Sequence, residues 1–177
     1  MLNDTRVFEA NSQGGGAFGD LPEWDLSDLY ASEDAAELQA DLTWLKQSCI
    51  DFSNDYEGKL AQLNADEMLK AVERYEAIDI IAGRIMSFAG LRYYQLTTDP
   101  ERAKFMSDMQ DKLTEHTTKL VFYGLEFNRL DEEALSKLLS QNTALARYKP
   151  VFDRMRAMKP YQLSDEMERF LHDQSVV

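Results

Sequence analysis

Ser32-Glu-Asp-Ala-Ala-Glu-Leu38-Gln-Ala-Asp-Leu42-Thr-Trp-Leu45-Lys-Gln-Ser-Cys49-Ile-Asp-Phe52-Ser-Asn-Asp-Tyr56 is the stretch that decides the fold class. Leu38, Leu42, Leu45, Cys49, Phe52 and Tyr56 recur at a mean spacing of about 3.6 residues, the α-helical period, and polar residues fill most of the opposite face. Ser32 is a capping residue type, and Glu33 and Asp34 follow it where an acidic side chain favours the positive end of the helix dipole. The pattern predicts an amphipathic helix of about 25 residues beginning at Ser32 and stopping near Gly58.

The same period continues downstream. A second helix begins at Asn64 or Asp66 and carries Leu69, Val72, Tyr75, Ile78, Ile81, Ile85, Phe88 and Leu91. Gly83 and Gly90 fall inside it, each unfavourable by about 1 kcal/mol relative to Ala, so the expectation is that another helix approaches closely there, a bend at either glycine being the alternative. Thr98-Asp99-Pro100-Glu101 reads as a helix start with Pro at N1, opening a third helix through Phe105, Met109, Leu113, Leu120 and Leu125. Asp131 opens a fourth with Leu135, Leu138 and Leu139. Pro150 opens a fifth with Phe152 and Met155, ended by Lys159-Pro160. Ser164 caps a last helix with Met167, Phe170 and Leu171 expected inside. No prolines lie between Pro22 and Pro100, and alternation of the strand type is hard to find. The expected architecture is all-α, long antiparallel helices followed by shorter ones. Residues 1–20, with Gly14, Gly15, Gly16 and Gly19 in a polar setting, read as a flexible tail; 21–112 as a long-helix region; 113–177 as a second helical region.

Composition narrows the function classes. The chain has 177 residues, 19 Lys plus Arg against 32 Asp plus Glu, and a net charge of −13. Such an acid excess argues against nucleic acid and against anionic membrane surfaces, both of which require clustered cations. Cys49 is the only cysteine, so no intrachain disulfide framework exists and a reducing, cytoplasmic setting is the simpler reading. No apolar run approaches the roughly 20 residues needed to span a bilayer.

The expected signatures of catalysis are missing. The two histidines, His116 and His172, are not at helical i,i+4 spacing, so no His-x-x-x-His zinc pair exists, and no catalytic or metal residue is assigned. Cys49 lies on the apolar stripe, where an inert buried thiol is the ordinary case. Two aromatic clusters are candidates for lining a peptide groove or an interface: Arg92, Tyr93 and Tyr94 at the end of the second helix, and Tyr148 and Tyr161 around the fifth. The competing reading of both is helix-junction packing. Glu126, between Leu125 and Phe127, is expected to be a buried carboxylate paired with Arg129 or Arg84.

Several segments then point to a family. Leu21-Pro-Glu-Trp24-Asp-Leu-Ser-Asp28-Leu-Tyr30, Phe52 with Tyr56-Glu-Gly58-Lys-Leu60, Ser87-Phe88-Ala89-Gly90-Leu91 and Phe122-Tyr-Gly-Leu-Glu126 are similar to successive parts of the oligoendopeptidase F group of M3 zinc metallopeptidases. The stretch from Tyr148 to Arg154, followed by Met158-Lys-Pro160-Tyr-Gln-Leu163-Ser-Asp-Glu166-Met-Glu168, carries the strongest resemblance. Tyr161 stands where relatives usually have His. The resemblance implies the helical N-terminal region of a cytoplasmic peptidase, one wall and rim of a channel over a zinc centre. Zinc and its His-Glu-x-x-His helix would lie in a C-terminal catalytic domain absent from this chain. It also implies short peptides as substrates of the longer enzyme and no catalysis by this chain alone. A stand-alone helical interaction module, an adaptor or inhibitor, is the alternative. Either way, an uncovered apolar surface is expected on the later helices and on Gly90–Tyr94, leading to self-association.

Overall fold

The computed structural model describes residues 24–175, so the expected tail at 1–20 lies outside the described residues. Among the described residues the secondary structure is helical, with no strand. Eight α-helices follow one another: α1 (Ala36–Tyr56), α2 (Ala65–Gln95), α3 (Pro100–Thr117), α4 (Val121–Arg129), α5 (Glu132–Gln141), α6 (Thr143–Ala146), α7 (Lys149–Ala157) and α8 (Asp165–Gln174). Short 3-10 turns sit at Leu60–Gln62, Thr118–Leu120 and Lys159–Tyr161.

α1 buries its predicted stripe: Leu38, Leu45, Cys49 and Phe52 are fully inaccessible and Leu42 nearly so. Each such large side chain contributes roughly 1.5–3 kcal/mol of burial. The helix begins later than the pattern suggests. Ser32 does not cap it; its hydroxyl bonds the Asp34 carboxylate at 2.6 Å and its carbonyl accepts the Ala35 amide, forming a turn ahead of Ala36. A short polar side chain next to another makes such local bonds in preference to capping. Gly58 takes φ of +78°, a conformation open to glycine, and redirects the chain after α1.

α2 starts where a capping box forces it to. The Asn64 side chain accepts the amides of Asp66 and Glu67, and the Glu67 carboxylate accepts the Asn64 amide at 2.9 Å. α3 starts at Pro100 behind an Asp99 cap, as read from the sequence. α1, α2 and α3 pack on one another through short connections, so neighbours run antiparallel. One buried cluster runs from Tyr30 and Leu38 through Ile85 and Phe88 to Phe127, Leu145 and Phe152.

Three expectations about this packing are corrected. The glycines of α2 do not mark a close helix approach: a Cβ at Gly83 would meet nothing within 4 Å, and one at Gly90 would meet only the Tyr94 ring at 3.8 Å. The third helix does not continue to Leu125 but breaks at Thr117. There the Thr117 hydroxyl returns to the Leu113 carbonyl at 2.9 Å, a back-bonding that bends helices, while the single Thr118 hydroxyl proton is shared between the Thr114 carbonyl at 2.8 Å and the Asp173 carboxylate at 2.6 Å. Met167, Phe170 and Leu171 are not inside: all three are exposed, and α8 contains no buried residue. The sequence reading also passed over α6, a single turn capped by Asn142, which accepts the amides of Ala144 and Leu145.

Candidate functional site

The aromatic residues singled out in the sequence occupy three separate places. Arg92 is half-buried at the end of α2, with Nε and Nη2 on Glu33 Oε1 at 3.2 and 3.1 Å and Nη1 on Gln95 Oε1 at 3.1 Å. Gln95 donates to the Trp24 carbonyl at 2.9 Å, and Arg102 donates to the Arg92 carbonyl. These contacts fasten the entering chain to α2 beside a small cleft of about 200 Å³ bordered by Trp24, Tyr30, Phe88 and Arg92. Tyr93 and Tyr94 are tilted against each other with centroids 5.5 Å apart, and Tyr94 is exposed.

Tyr148 lies elsewhere. Its hydroxyl donates to Glu76 Oε2 at 2.7 Å, a bond that raises its pKa above the usual tyrosine value, and its ring stacks on Phe152. Glu76 and Arg92 are about 24 Å apart along the axis of α2 at 1.5 Å per residue. Tyr161, 74% exposed, belongs to a third region with Met158 and Leu163.

A seam of rings joins α1, α2, α4 and α7. Tyr75 and Tyr123 stack at 4.4 Å, Phe52 meets Tyr123 edge-on at 5.5 Å, and Phe127 lies 4.6 Å from Phe152. Desolvation pushes the Tyr75 and Tyr123 hydroxyls upward, so both stay neutral across the physiological range. Cys49 is fully buried in the same core, and burial pushes its thiol up to about 11, which removes the thiolate that reactivity needs.

Glu126 is not paired with an arginine, contrary to the sequence expectation. Its carboxylate accepts the amides of Gly58 at 2.6 Å and Leu60 at 3.4 Å, tying α4 to the turn after α1. Arg129 instead pairs with Asp165, and Arg84 with Asp41 at 3.2 Å while stacking over Tyr30. The amides of Gly58 and Leu60, in the turn beyond α1 and at the start of the 3-10 turn that follows, are free of helical partners and serve as the donors to this carboxylate.

α8 is mounted in an unusual way. Asp165, Arg169, His172 and Asp173 share one face, and each contacts the bundle: Asp165 with Arg129, Arg169 with Glu57, Asp173 with the Thr118 hydroxyl at 2.6 Å and His172 with the Thr117 hydroxyl at 3.2 Å. The polar face is docked, and Met167, Phe170 and Leu171 point to solvent. The sequence pattern put Met167, Phe170 and Leu171 inside, so periodicity placed the helix but inverted its orientation.

Beside α8 is a cleft of about 360 Å³ between α2 and α4, bordered by Tyr75, Ile78, Asp79, Thr117, Gly124 and His172 among others. Sequence reasoning did not single it out. Its residues come from four helices and a 3-10 turn and share no motif.

Among the described residues no group of three or more His, Cys, Asp or Glu side chains is gathered so as to hold a metal ion. The donors among the described residues do not fit a zinc centre. No described helix is long and apolar enough to cross a membrane.

Comparison with known proteins supplies the remaining constraint. The family model described as Oligopeptidase F, an M3 peptidase N-terminal model, matches residues 126–177. Oligoendopeptidase F, plasmid, of Lactococcus lactis subsp. cremoris is 24% identical over 155 residues, covering 86% of this chain and 25% of that protein. An oligoendopeptidase F homolog of Lactococcus lactis subsp. lactis (strain IL1403) is 24% identical over 148 residues, 84% of this chain and 24% of the relative. The chain thus spans about a quarter of the length of the curated relatives it matches. No solved structure matches it significantly.

Proposed function

We propose, from this kinship with the N-terminal region of oligoendopeptidase F-like M3 peptidases, that the chain is the helical, non-catalytic access portion of a zinc-dependent enzyme that hydrolyses short peptides. The observation that carries the reading is the coverage: 86% of this chain aligns with only 25% of a curated relative. A helical enclosure next to a hydrolytic centre selects by shape, admitting short extended peptides and excluding folded proteins. In the longer protein the metal would activate water for amide hydrolysis; the residues here contribute walls and contacts.

The outward apolar face of α8 supports the same reading, because a surface of Met167, Phe170 and Leu171 mounted by its polar side calls for a cover. The C-terminal catalytic portion of the enzyme is the proposed cover, with Tyr161 at its edge. Arg92, Tyr93, Tyr94 and Tyr148 are proposed as channel-rim or interface contacts, on two patches rather than one. A cytoplasmic location is proposed with them, consistent with the lone Cys49.

The direct test is an assay of the chain with internally quenched peptides and added zinc. No turnover above the blank is expected; robust turnover abolished by a chelator refutes the non-catalytic role. The coding sequence beyond Val177 provides a second test. A reading frame leading to His-Glu-x-x-His supports the peptidase reading, and a stop codon directly after Val177 favours a self-standing interaction module.

A further inference from the structure

We propose that the cleft between α2 and α4, with His172 of α8 at its rim, binds the free N-terminal residue of a short peptide. The apolar side chain of that residue would fill the cleft, and its ammonium would meet Asp79 and His172. The inference rests on the peptide-substrate reading above and deepens it.

Size sets the first constraint. At about 360 Å³ the cleft lies near the lower end of the roughly 300–1,000 Å³ of small-ligand sites, room for one large residue and not for a folded partner. Its walls are the Tyr75 ring, Ile78, Ala82, Leu120 and Val121, which suit an apolar group. Gly124 borders it from the middle of α4, and a Cβ built there would meet nothing within 4 Å. A helix-interior glycine is unfavourable, so the absence of any neighbour it accommodates leaves open space as its visible effect.

Hydrogen-bond bookkeeping sets the second. The Thr117 hydroxyl gives its proton to the Leu113 carbonyl at 2.9 Å. Toward His172 Nε2, 3.2 Å away, it can therefore only accept, so Nε2 carries an N–H, the tautomer in which Nδ1 is the acceptor. Asp79 is a second acceptor, negatively charged, exposed, and without a basic partner among the described residues. No Lys or Arg borders the cleft. A carboxylate or phosphate head would meet repulsion here. An ammonium, with three donors and a positive charge, complements both acceptors. An apolar body adjoining an ammonium is the chemistry of a peptide's first residue.

The test is a nuclear magnetic resonance titration of the 177-residue chain, isotopically labelled, with Leu-Gly-Gly and Phe-Gly-Gly, their N-acetylated forms, and Gly-Gly-Leu. Amide shifts are expected to be confined to residues 75–82, 117–124 and the end of α8. Binding of the free peptides is expected to exceed that of the acetylated forms and of Gly-Gly-Leu by about tenfold, a difference of about 1.4 kcal/mol. Asp79→Asn should remove that preference. Gly124→Leu should abolish binding while keeping the melting temperature at or above that of the unmodified chain, which shows that it folds. Equal binding of acetylated peptides, unchanged binding by Gly124→Leu, or no shifts at millimolar peptide would each overturn the proposal. A longer form that cleaves peptides while this cleft binds none sinks the cleft alone. Binding here beside a longer form without peptidase activity sinks the parent reading instead.

Discussion

The Glu126 carboxylate receives the Gly58 amide at 2.6 Å and the Leu60 amide at 3.4 Å across 68 and 66 residues of sequence, so a single side chain holds α4 against the turn after α1. Hydrogen bonds to an ionised acceptor are roughly twice as strong as neutral ones. Glu126→Gln is expected to lower stability by about 1 kcal/mol and Glu126→Ala by about 1–3 kcal/mol, the latter leaving two amides without their acceptor. Urea unfolding followed by circular dichroism measures both, and equal, near-zero effects would show that the tie is idle. His116 gives a pH-dependent counterpart. Burial lowers its pKa below the ordinary 6.5, with Lys46, Lys112 and Lys119 pressing the same way and Glu115 opposing. The folded chain then binds fewer protons at this site than the unfolded one, so the site's contribution is complete above about pH 6.5 and is lost as pH falls through the lowered folded value. Stability should therefore decline as solutions are acidified below neutrality, and His116→Gln should flatten that slope while the decline due to carboxylates at lower pH persists. Sequence reading identified Glu126 as special yet misassigned its partner, because charge suggests an arginine whereas the orphan amides that win are set by a turn geometry no composition reveals.

At the scale of elements, what was legible followed from period and caps. The α1 stripe stands where its period predicts, and the starts at Asn64, at Asp99-Pro100 and at Ser164 stand where residue types predict them, because each cap is a local bond closed within four residues. Breaks were less legible. The end of α3 depends on the Thr117 hydroxyl returning to its own helix, and α6 is one turn resting on Asn142, too short to show a period. Least legible was which face of α8 turns inward, since an amphipathic pattern specifies two faces and only the neighbouring surface chooses between them. Exposed ion pairs contribute about 0–1 kcal/mol each, so the pairs Arg129–Asp165 and Arg169–Glu57, both substantially exposed, hold α8 weakly. Hydrogen exchange should show α8 opening well before α1 and α2. Raising salt to about 0.5 M should speed its exchange selectively, because surface pairs are screened while the buried stripe is not. Uniform protection across α2 and α8, unchanged by salt, would contradict this account of the docking.

At the scale of the whole molecule, two opposed terms govern what the chain does in solution. Phe170, Met167, Leu171, Leu163 and Met158 leave a run of apolar side chains about half or more exposed, and an uncovered surface of that kind favours association. A net charge of −13 opposes it, since two copies repel before their apolar faces meet. Salt separates the terms: at about 0.15 M the screening length is near 8 Å, so repulsion fades with ionic strength whereas apolar burial does not. Self-association is therefore expected to increase with salt, the reverse of an assembly held by ion pairs. Light scattering coupled to size exclusion, run across protein concentration at low and at about 0.5 M salt, should show mass rising with both. Phe170→Glu adds a charge in the middle of the outward face without touching a buried contact, so it should return the chain to monomer at unchanged helicity. A strict monomer under all conditions, or a dimer that dissolves as salt is added, would mean that the outward face of α8 is not what brings copies together.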